Sequence, residues 1–278
     1  MAVEIKLYDI NSNVGAWSPS VFKTRFALNL KKIPYETRWL KISEIPEVAK
    51  SVGAAATGKI KGTDEPWYTC PFIQVSLPGV EKPTVVTESS AIADFIDAHP
   101  AFNDADTPKL FPPGTRALQE AFIGNLWGGM LTVSFLKLAV SGSATIMEPG
   151  SADAEYVRKT RTAWFGGRTD WFGPRAAEKS FQPEEWVPAG SVERAEAWKE
   201  TQDGFGKTAV VYKTTHKEGL GPWLMGSAPI FADILVLSYL AFFQRTVTDE
   251  EWAKVMEWDD GVWKTVWEAG APIMQKLD

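Results

Sequence analysis

Three short clusters near the amino terminus carry residue types that do chemistry. The first is Trp17-Ser18-Pro19. Serine favours the cap position before a helix and proline the first helical position. A helix amino terminus also attracts an anion. The Ser18 hydroxyl there either caps the helix or donates to a bound thiolate and lowers its pKa. Ser20, in the same first turn, is the alternative donor. The second cluster is Thr69-Cys70-Pro71-Phe72. Proline entering a strand is a plain strand start, an edge feature or a cis turn. A cis Cys70–Pro71 bond would turn the Cys70 backbone N–H and C=O outward, towards an extended peptide. Cys70 is not expected to be a nucleophile, because no helix dipole or base accompanies it in sequence. The third is Glu88-Ser89-Ser90. It is either a capping cluster beside a solvated Glu88 or a clamp for an α-amino acid end. In the clamp, free helical N–H groups hold the carboxylate and Glu88 takes the ammonium.

The elements that must position these clusters alternate over the first hundred residues. Val3–Asp9 reads as a strand, then a helix opens at Ser18-Pro19 and closes at Ile33-Pro34. Tyr35–Leu40 is a second strand and Ser43–Val52 a short polar helix. Gly53–Trp67 reads as a loop. Phe72–Leu77 and Thr84–Thr87 are strands around a Pro78-Gly79 turn, and Ser90–Ala98 is a helix. One hairpin inside a βαβ pattern predicts a mixed sheet with an antiparallel pair. Pro100–Gly114 is polar and proline-rich, as a linker would be. Beyond it the pattern is helical. Thr115–Val140 reads as one long helix with Gly128-Gly129 at its centre, and Asp153–Trp164 and Val192–Thr214 as further helices. Ile230–Phe243 is the most apolar helix, and Asp249–Trp267 supplies one or two more. Gly142–Gly190 is a long, tryptophan-bearing excursion.

Composition bounds the partners. The 278 residues carry a net charge of -6, with no basic stripe, so nucleic acid and anionic membrane surfaces are not expected partners. The single cysteine permits no internal disulfide, and the two histidines lie in no metal-ligand spacing, so no metal is expected. The amino terminus alternates like a strand and the longest apolar run is too short to span a bilayer. A cytoplasmic protein is expected. Thirteen tryptophans suit apolar pockets or interfaces.

In this order and on these elements, the three clusters resemble the glutathione site of glutathione transferases. Gly226-Ser227-Ala228-Pro229-Ile230-Phe231-Ala232-Asp233-Ile234 resembles the start of the family's buried helix. Trp17-Ser18-Pro19 followed by Lys23-Thr24-Arg25-Phe26-Ala27-Leu28-Asn29 is most similar to the etherase-related, fungal class A branch of wood-degrading fungi. The resemblance implies an α/β thioredoxin-like domain over 1–101, a linker over 102–114 and an all-α domain over 115–278. It implies glutathione as co-substrate, with Ser18 (or Ser20) stabilising the thiolate. Cys70 beside a cis Pro71 would pair with the cysteinyl part, Glu88 and Ser89 with the γ-glutamyl end, and Lys41 with the glycine carboxylate. Asp233 is implied as a folding residue. Trp17, Ile123, Trp127 and Met130 would wall a pocket for hydrophobic, aromatic or phenolic molecules, to be conjugated or cleaved, or else only carried. A homodimer is implied, one domain of each chain against the other domain of its partner. Two positions depart from the pattern: Ile230, where the family has Ser or Thr, and Lys32, where glycine would suit a helix end.

Overall fold

The computed structural model describes residues 3–60, 63–142, 146, 151, 153 and 186–275. The expected helix at Asp153–Trp164, apart from Asp153, and most of the Gly142–Gly190 excursion lie outside them. The amino-terminal part runs β1 (Glu4–Ile10), α1 (Pro19–Leu30), β2 (Glu36–Leu40), α2 (Ile45–Val52), β3 (Gly58–Lys59), β4 (Pro66–Trp67), β5 (Phe72–Ser76), β6 (Thr84–Thr87) and α3 (Ser89–Ala98). Four strands form one sheet in the order β2-β1-β5-β6, parallel between β1 and β2 and antiparallel elsewhere. Residues 53–67, expected to be all loop, contain the small β3–β4 hairpin. Its two-residue strands are too short to alternate visibly.

Register fixes which loops meet. Ile10 pairs with Leu40, Tyr8 with Phe72, and Phe72 with Thr87. The chain leaving β1, the chain leaving β2, the chain entering β5 and the chain leaving β6 therefore share one edge of the sheet.

α1 is buried along Val21, Phe22, Thr24, Arg25, Phe26, Ala27 and Leu28, with almost no amphipathic bias. A helix buried all round lies between two layers. Here the layers are the sheet with α3 and the helical domain, where α1 packs on the helices Phe231–Thr246 and Asp249–Met274. α1 ends as the sequence anticipates. Lys32 takes a left-handed φ of 54°, while Ile33 N–H donates to Leu28 O and Lys32 N–H to Asn29 O. That is the Schellman pattern, with lysine at the glycine position.

Among the described residues the helical part has α4 (Arg116–Asn125), α5 (Val133–Gly142), α6 (Val192–Lys217), α7 (Phe231–Thr246) and α8 (Asp249–Met274). The single helix expected over Thr115–Val140 is thus two. The break is a crossing point. A Cβ at Gly129 would stand 2.5 Å from Thr208 Oγ1 of α6, and one at Gly204 would overlap the Gly129 carbonyl oxygen. Only glycine allows that approach. Met130 N–H then donates to Thr208 Oγ1 at 2.9 Å. α8 extends past Trp267 and is interrupted at Asp259, Asp260 and Gly261, all with positive φ.

The absent Ser/Thr cap of α7 is replaced from three sides. Ile230 N–H donates to Asp233 Oδ2, Phe231 N–H to Leu110 O and Ala232 N–H to Gln119 Oε1, each at 3.0 Å. Asp233 Oδ1 also accepts from Tyr212 OH and Leu224 N–H. Burial raises the Asp233 carboxyl to about 6 against the pull of those donors. Among the described residues no helix is long and apolar enough to cross a membrane.

Candidate active site at the sheet edge

The loop from β1 to α1 is shaped by Ser12. Its Oγ donates to Gly15 O at 2.6 Å and accepts from Val14 N–H at 3.1 Å, around a Gly15 φ of 72°. The loop delivers Ser18 to the cap position of α1 with extended backbone (φ -68°, ψ 123°) and no side-chain cap hydrogen bond. Capping alone therefore does not account for the hydroxyl. Pro19 has no N–H, and the Ser20 and Val21 N–H groups have no partner among the described residues. No acidic side chain occupies the first turn. The result is a positive helix end with a hydroxyl beside it. Ser18 is nearly buried, whereas Ser20 is half-exposed.

Behind this loop sits a charge pair that the sequence reading did not single out. Arg25 Nε donates to Asp9 Oδ2 at 2.8 Å, and both side chains are fully buried. Arg25 also donates to Thr37 Oγ1 and lies 5.0 Å from the Trp39 ring. Asp9 Oδ1 takes the Ile10 N–H. Burial raises the Asp9 carboxyl above its ordinary range, against the pull of Arg25. The pair ties α1 to β1 and β2 immediately beneath the Ser18 loop. Its signal was present: a carboxylate among the apolar residues at the end of β1 and the one guanidinium of α1.

The Cys70–Pro71 bond is cis. It lies just outside the ladder, which ends at Tyr8 opposite Phe72. Burial, and then the charge of Asp9, push the Cys70 thiol well above its ordinary value, so it stays protonated and is no nucleophile. Glu88 is exposed and caps α3 with φ 75° and ψ 128°, a backbone that non-glycine residues rarely adopt. Ser89 is buried behind it, and the first turn of α3 has neither an acidic residue nor a side-chain cap. Lys23 of α1 faces Glu88 electrostatically, a neighbour the sequence did not announce. Lys41 follows β2 and is exposed. Register thus brings Ser18, Lys41, Cys70, Pro71, Glu88 and Ser89 to one edge.

Of the four residues expected to wall the pocket, three keep exposed surface and one does not. Trp17 is half-buried, its ring 6.3 Å from Phe242 of α7, and its indole N–H has no partner among the described residues. Ile123 is half-buried and Trp127 is 53% exposed, but Met130 is 0% exposed and belongs to the core. Met130 offers a ligand no surface, because the Gly129–Gly204 crossing seats it under α6. Among the described residues three hydrogen bonds reach this edge from beyond α5: Asn13 N–H donates to Ile146 O at 2.9 Å, and Ser43 Oγ and N–H donate to Asp153 Oδ1 at 2.9 and 3.4 Å. A concavity of about 320 Å³ lies at the opposite end of the sheet, by Lys6, Pro34, Glu36 and Ser76, away from these groups. Among the described residues no cluster of three or more His, Cys, Asp or Glu could hold a metal ion.

A mixed βαβ–ββα sheet with two uncapped helix starts at one edge, followed by an all-helical domain, defines the glutathione transferase class of architecture. Comparison with known proteins agrees. Residues 17–99 match the amino-terminal domain of glutathione S-transferases and residues 117–272 the carboxy-terminal domain. The chain belongs to the glutathione S-transferase family. It is 24% identical, over 94% of its length and 86% of the relative's, to the glutathione S-transferase-like protein ustS of Aspergillus flavus. Among solved structures it is similar to glutathione S-transferase CsGST63524 of Ceriporiopsis subvermispora in complex with glutathione, at 29% identity, 97% coverage of both chains and a TM-score of 0.79. It is also similar to glutathione transferase GSTFuA3 of Phanerochaete chrysosporium, at 28% identity, 97% coverage of both and a TM-score of 0.76.

Proposed function

We propose that the chain binds glutathione at the β1–α1 edge and uses its thiolate to conjugate or cleave hydrophobic aromatic electrophiles, with Ser18 stabilising the sulfur. The observation that carries this reading is the Ser18 hydroxyl, which makes no cap bond yet stands at an unneutralised helix start. The similar Ceriporiopsis enzyme was crystallised with glutathione, which supports the ligand.

In this reading the cysteinyl part lies along the Cys70 backbone. The γ-glutamyl carboxylate meets the open N–H groups of α3 beside Ser89, its ammonium meets Glu88, and Lys41 takes the glycine carboxylate. The thiol proton leaves to solvent. Ser18 Oγ–H then donates to the sulfur while the α1 dipole favours the anion, which lowers the thiol pKa from about 8.5 towards neutrality. The held thiolate attacks the electrophile, a carbon–sulfur bond forms, and the leaving group departs with the electron pair. A serine forms no mixed disulfide, so transfer or β-aryl ether cleavage suits the site better than thiol reduction. Trp17, next to Ser18 in the chain and packed by Phe242, favours flat apolar substrates. The etherase-related fungal class and a cytoplasmic homodimer complete the proposal. The exposed apolar side chains Leu118 and Trp127 are consistent with a partner subunit.

The test compares Ser18→Ala with Ser20→Ala. Loss of one preorganised donor to a developing anion costs about 10²-fold or more in turnover. Ser18→Ala is expected to lose that much in kcat/KM, with the bound thiol titrating higher and glutathione affinity nearly unchanged. If only Ser20→Ala shows the loss, Ser20 is the donor. Aromatic ligands bound tightly by an enzyme without turnover would favour a carrier instead.

A further inference from the structure

Ser18 and Arg25 stand about two helical turns apart and so lie along one face of α1. Long helical side chains lean back towards the amino terminus. From Arg25 that direction runs beneath the first turns to the end of β1, where Nε donates to Asp9 Oδ2 at 2.8 Å. Among the described residues this is the one ion pair with both side chains at 0% exposure. The guanidinium is held on its other flank as well. Its Nη2 donates to Thr37 Oγ1 at 3.0 Å, its Nη1 lies 3.5 Å from Tyr35 OH, and the Trp39 ring stands 5.0 Å away. Asp9 Oδ1 accepts from Ile10 N–H at 2.6 Å.

The pair belongs to the inner face of the sheet. Asp9 and its register partner Trp39 alternate with Tyr8, Glu36 and Arg38, which face the other side. Among the described residues the titratable groups that meet Asp9 are therefore Arg25 from α1 and Cys70 from the cis turn, with Tyr35 reaching the guanidinium. The charge of Asp9 is felt at the Cys70 thiol, so its field extends to the turn along which the cysteinyl part of glutathione is placed. Fully buried charges act over distances at which exposed ones are screened. Burial holds the Asp9 carboxyl above its ordinary range even with Arg25 bonded to it.

We propose that Asp9 and Arg25 are positioning residues of the transfer reaction, acting on the glutathione sulfur with opposite sign from beneath Ser18 and, as a closed pair, leaving its anion unopposed. This inference rests on the glutathione reading of the sheet edge. A bare carboxylate at position 9 would repel the thiolate that forms beside Ser18. Arg25 cancels that charge and also fastens the Ser18 face of α1 to β1. A guanidinium stays charged across the working pH range, so the cancellation holds wherever Asp9 is ionised.

The experiment titrates the thiol of bound glutathione by its ultraviolet thiolate absorbance, in the full chain and three variants. Asp9→Asn keeps an acceptor for Arg25 Nε and unmasks the cation. Its bound thiol should titrate about one pH unit lower, the effect of one buried charge several ångströms away at an effective dielectric of about 20. Arg25→Met leaves a carboxyl that can neutralise itself by taking a proton, so it secures the test if the stranded guanidinium of Asp9→Asn unfolds the chain. Its thiolate signal should spread over two coupled steps and reach completion at higher pH than in wild type. The double variant Asp9→Asn/Arg25→Met carries neither charge and should titrate as wild type does. A merely structural pair would lower turnover in the variants while the thiol still titrates in one step at the wild-type pH. That outcome, or an upward move in Asp9→Asn, overturns the proposal with glutathione still bound. If wild type itself binds no glutathione and gives no thiolate signal, the sheet-edge reading falls and this inference with it.

Discussion

Glu88 shows how a single residue divides its role between fold and ligand. Its φ of 75° costs on the order of 1–3 kcal/mol for a side-chain-bearing residue. Glycine would relieve that strain at the expense of the carboxylate. Glu88→Gly is expected to raise the unfolding free energy by about 1 kcal/mol, read from urea melts. The same variant should weaken glutathione binding about tenfold, as loss of a charge-assisted contact does. A variant both less stable and equally tight would contradict this account. Asp233 acts through its proton. Its folded-state pKa, raised to about 6 by burial, stands above the unfolded value near 3.9. Such a group stabilises fully below the unfolded pKa, and that contribution is lost as pH rises through the folded pKa. Relative to Asp233→Asn, wild type should therefore lose about 2–3 kcal/mol of stability between about pH 4 and pH 7. A pH-independent difference between the two proteins would count against it. That Ser18, Cys70, Pro71, Glu88 and Ser89 sit at strand and helix ends was legible from the strand and helix pattern, while their reading as one site came from the family resemblance. Arg25 and Lys23 were not singled out, since their partners Asp9 and Glu88 come from other elements.

At the scale of elements, local signals and tertiary packing divide the outcome. The start and stop of α1 are local: Pro19 at its first position and a left-handed Lys32 at its end. Lys32→Gly places the favoured residue there and is expected to raise thermal stability by about 1 kcal/mol, without affecting turnover. An unchanged or lower melting temperature would mean the lysine stem packs better than its backbone suits. The split between α4 and α5 is not local. Helical periodicity runs through Gly128-Gly129, and what interrupts it is Gly204 and Thr208 of α6 pressing against Gly129. A reading along the chain sees two glycines in a helix; it does not see the helix that crosses them. The β3–β4 hairpin was missed for the opposite reason, because two-residue strands carry no period. Lys31 was likewise unremarkable in sequence. In the fold its Nζ donates to Asp97 Oδ1, Asn103 Oδ1 and Pro108 O, fastening α1 to α3 and to the linker.

Across the whole molecule, the two-part architecture was readable from the change in periodicity near residue 100, while the joint between the parts was not. That joint is built from α1. Phe22, Phe26 and Leu28 are fully enclosed, Trp17 approaches Phe242, and Asn29 Nδ2 donates to Ile273 O at 2.7 Å near the end of α8. The helix that presents Ser18 therefore lies within one hydrophobic core that both parts share. A fragment ending at residue 101 would leave one flank of α1 bare to water. Expressed alone, residues 1–101 should collect in inclusion bodies or show no cooperative melt, and co-expression with 102–278 should restore a folded complex. Gene fusion or domain shuffling in this scaffold would then have to exchange α1 together with its helical bed, because the seam visible in the sequence is not where the molecule comes apart.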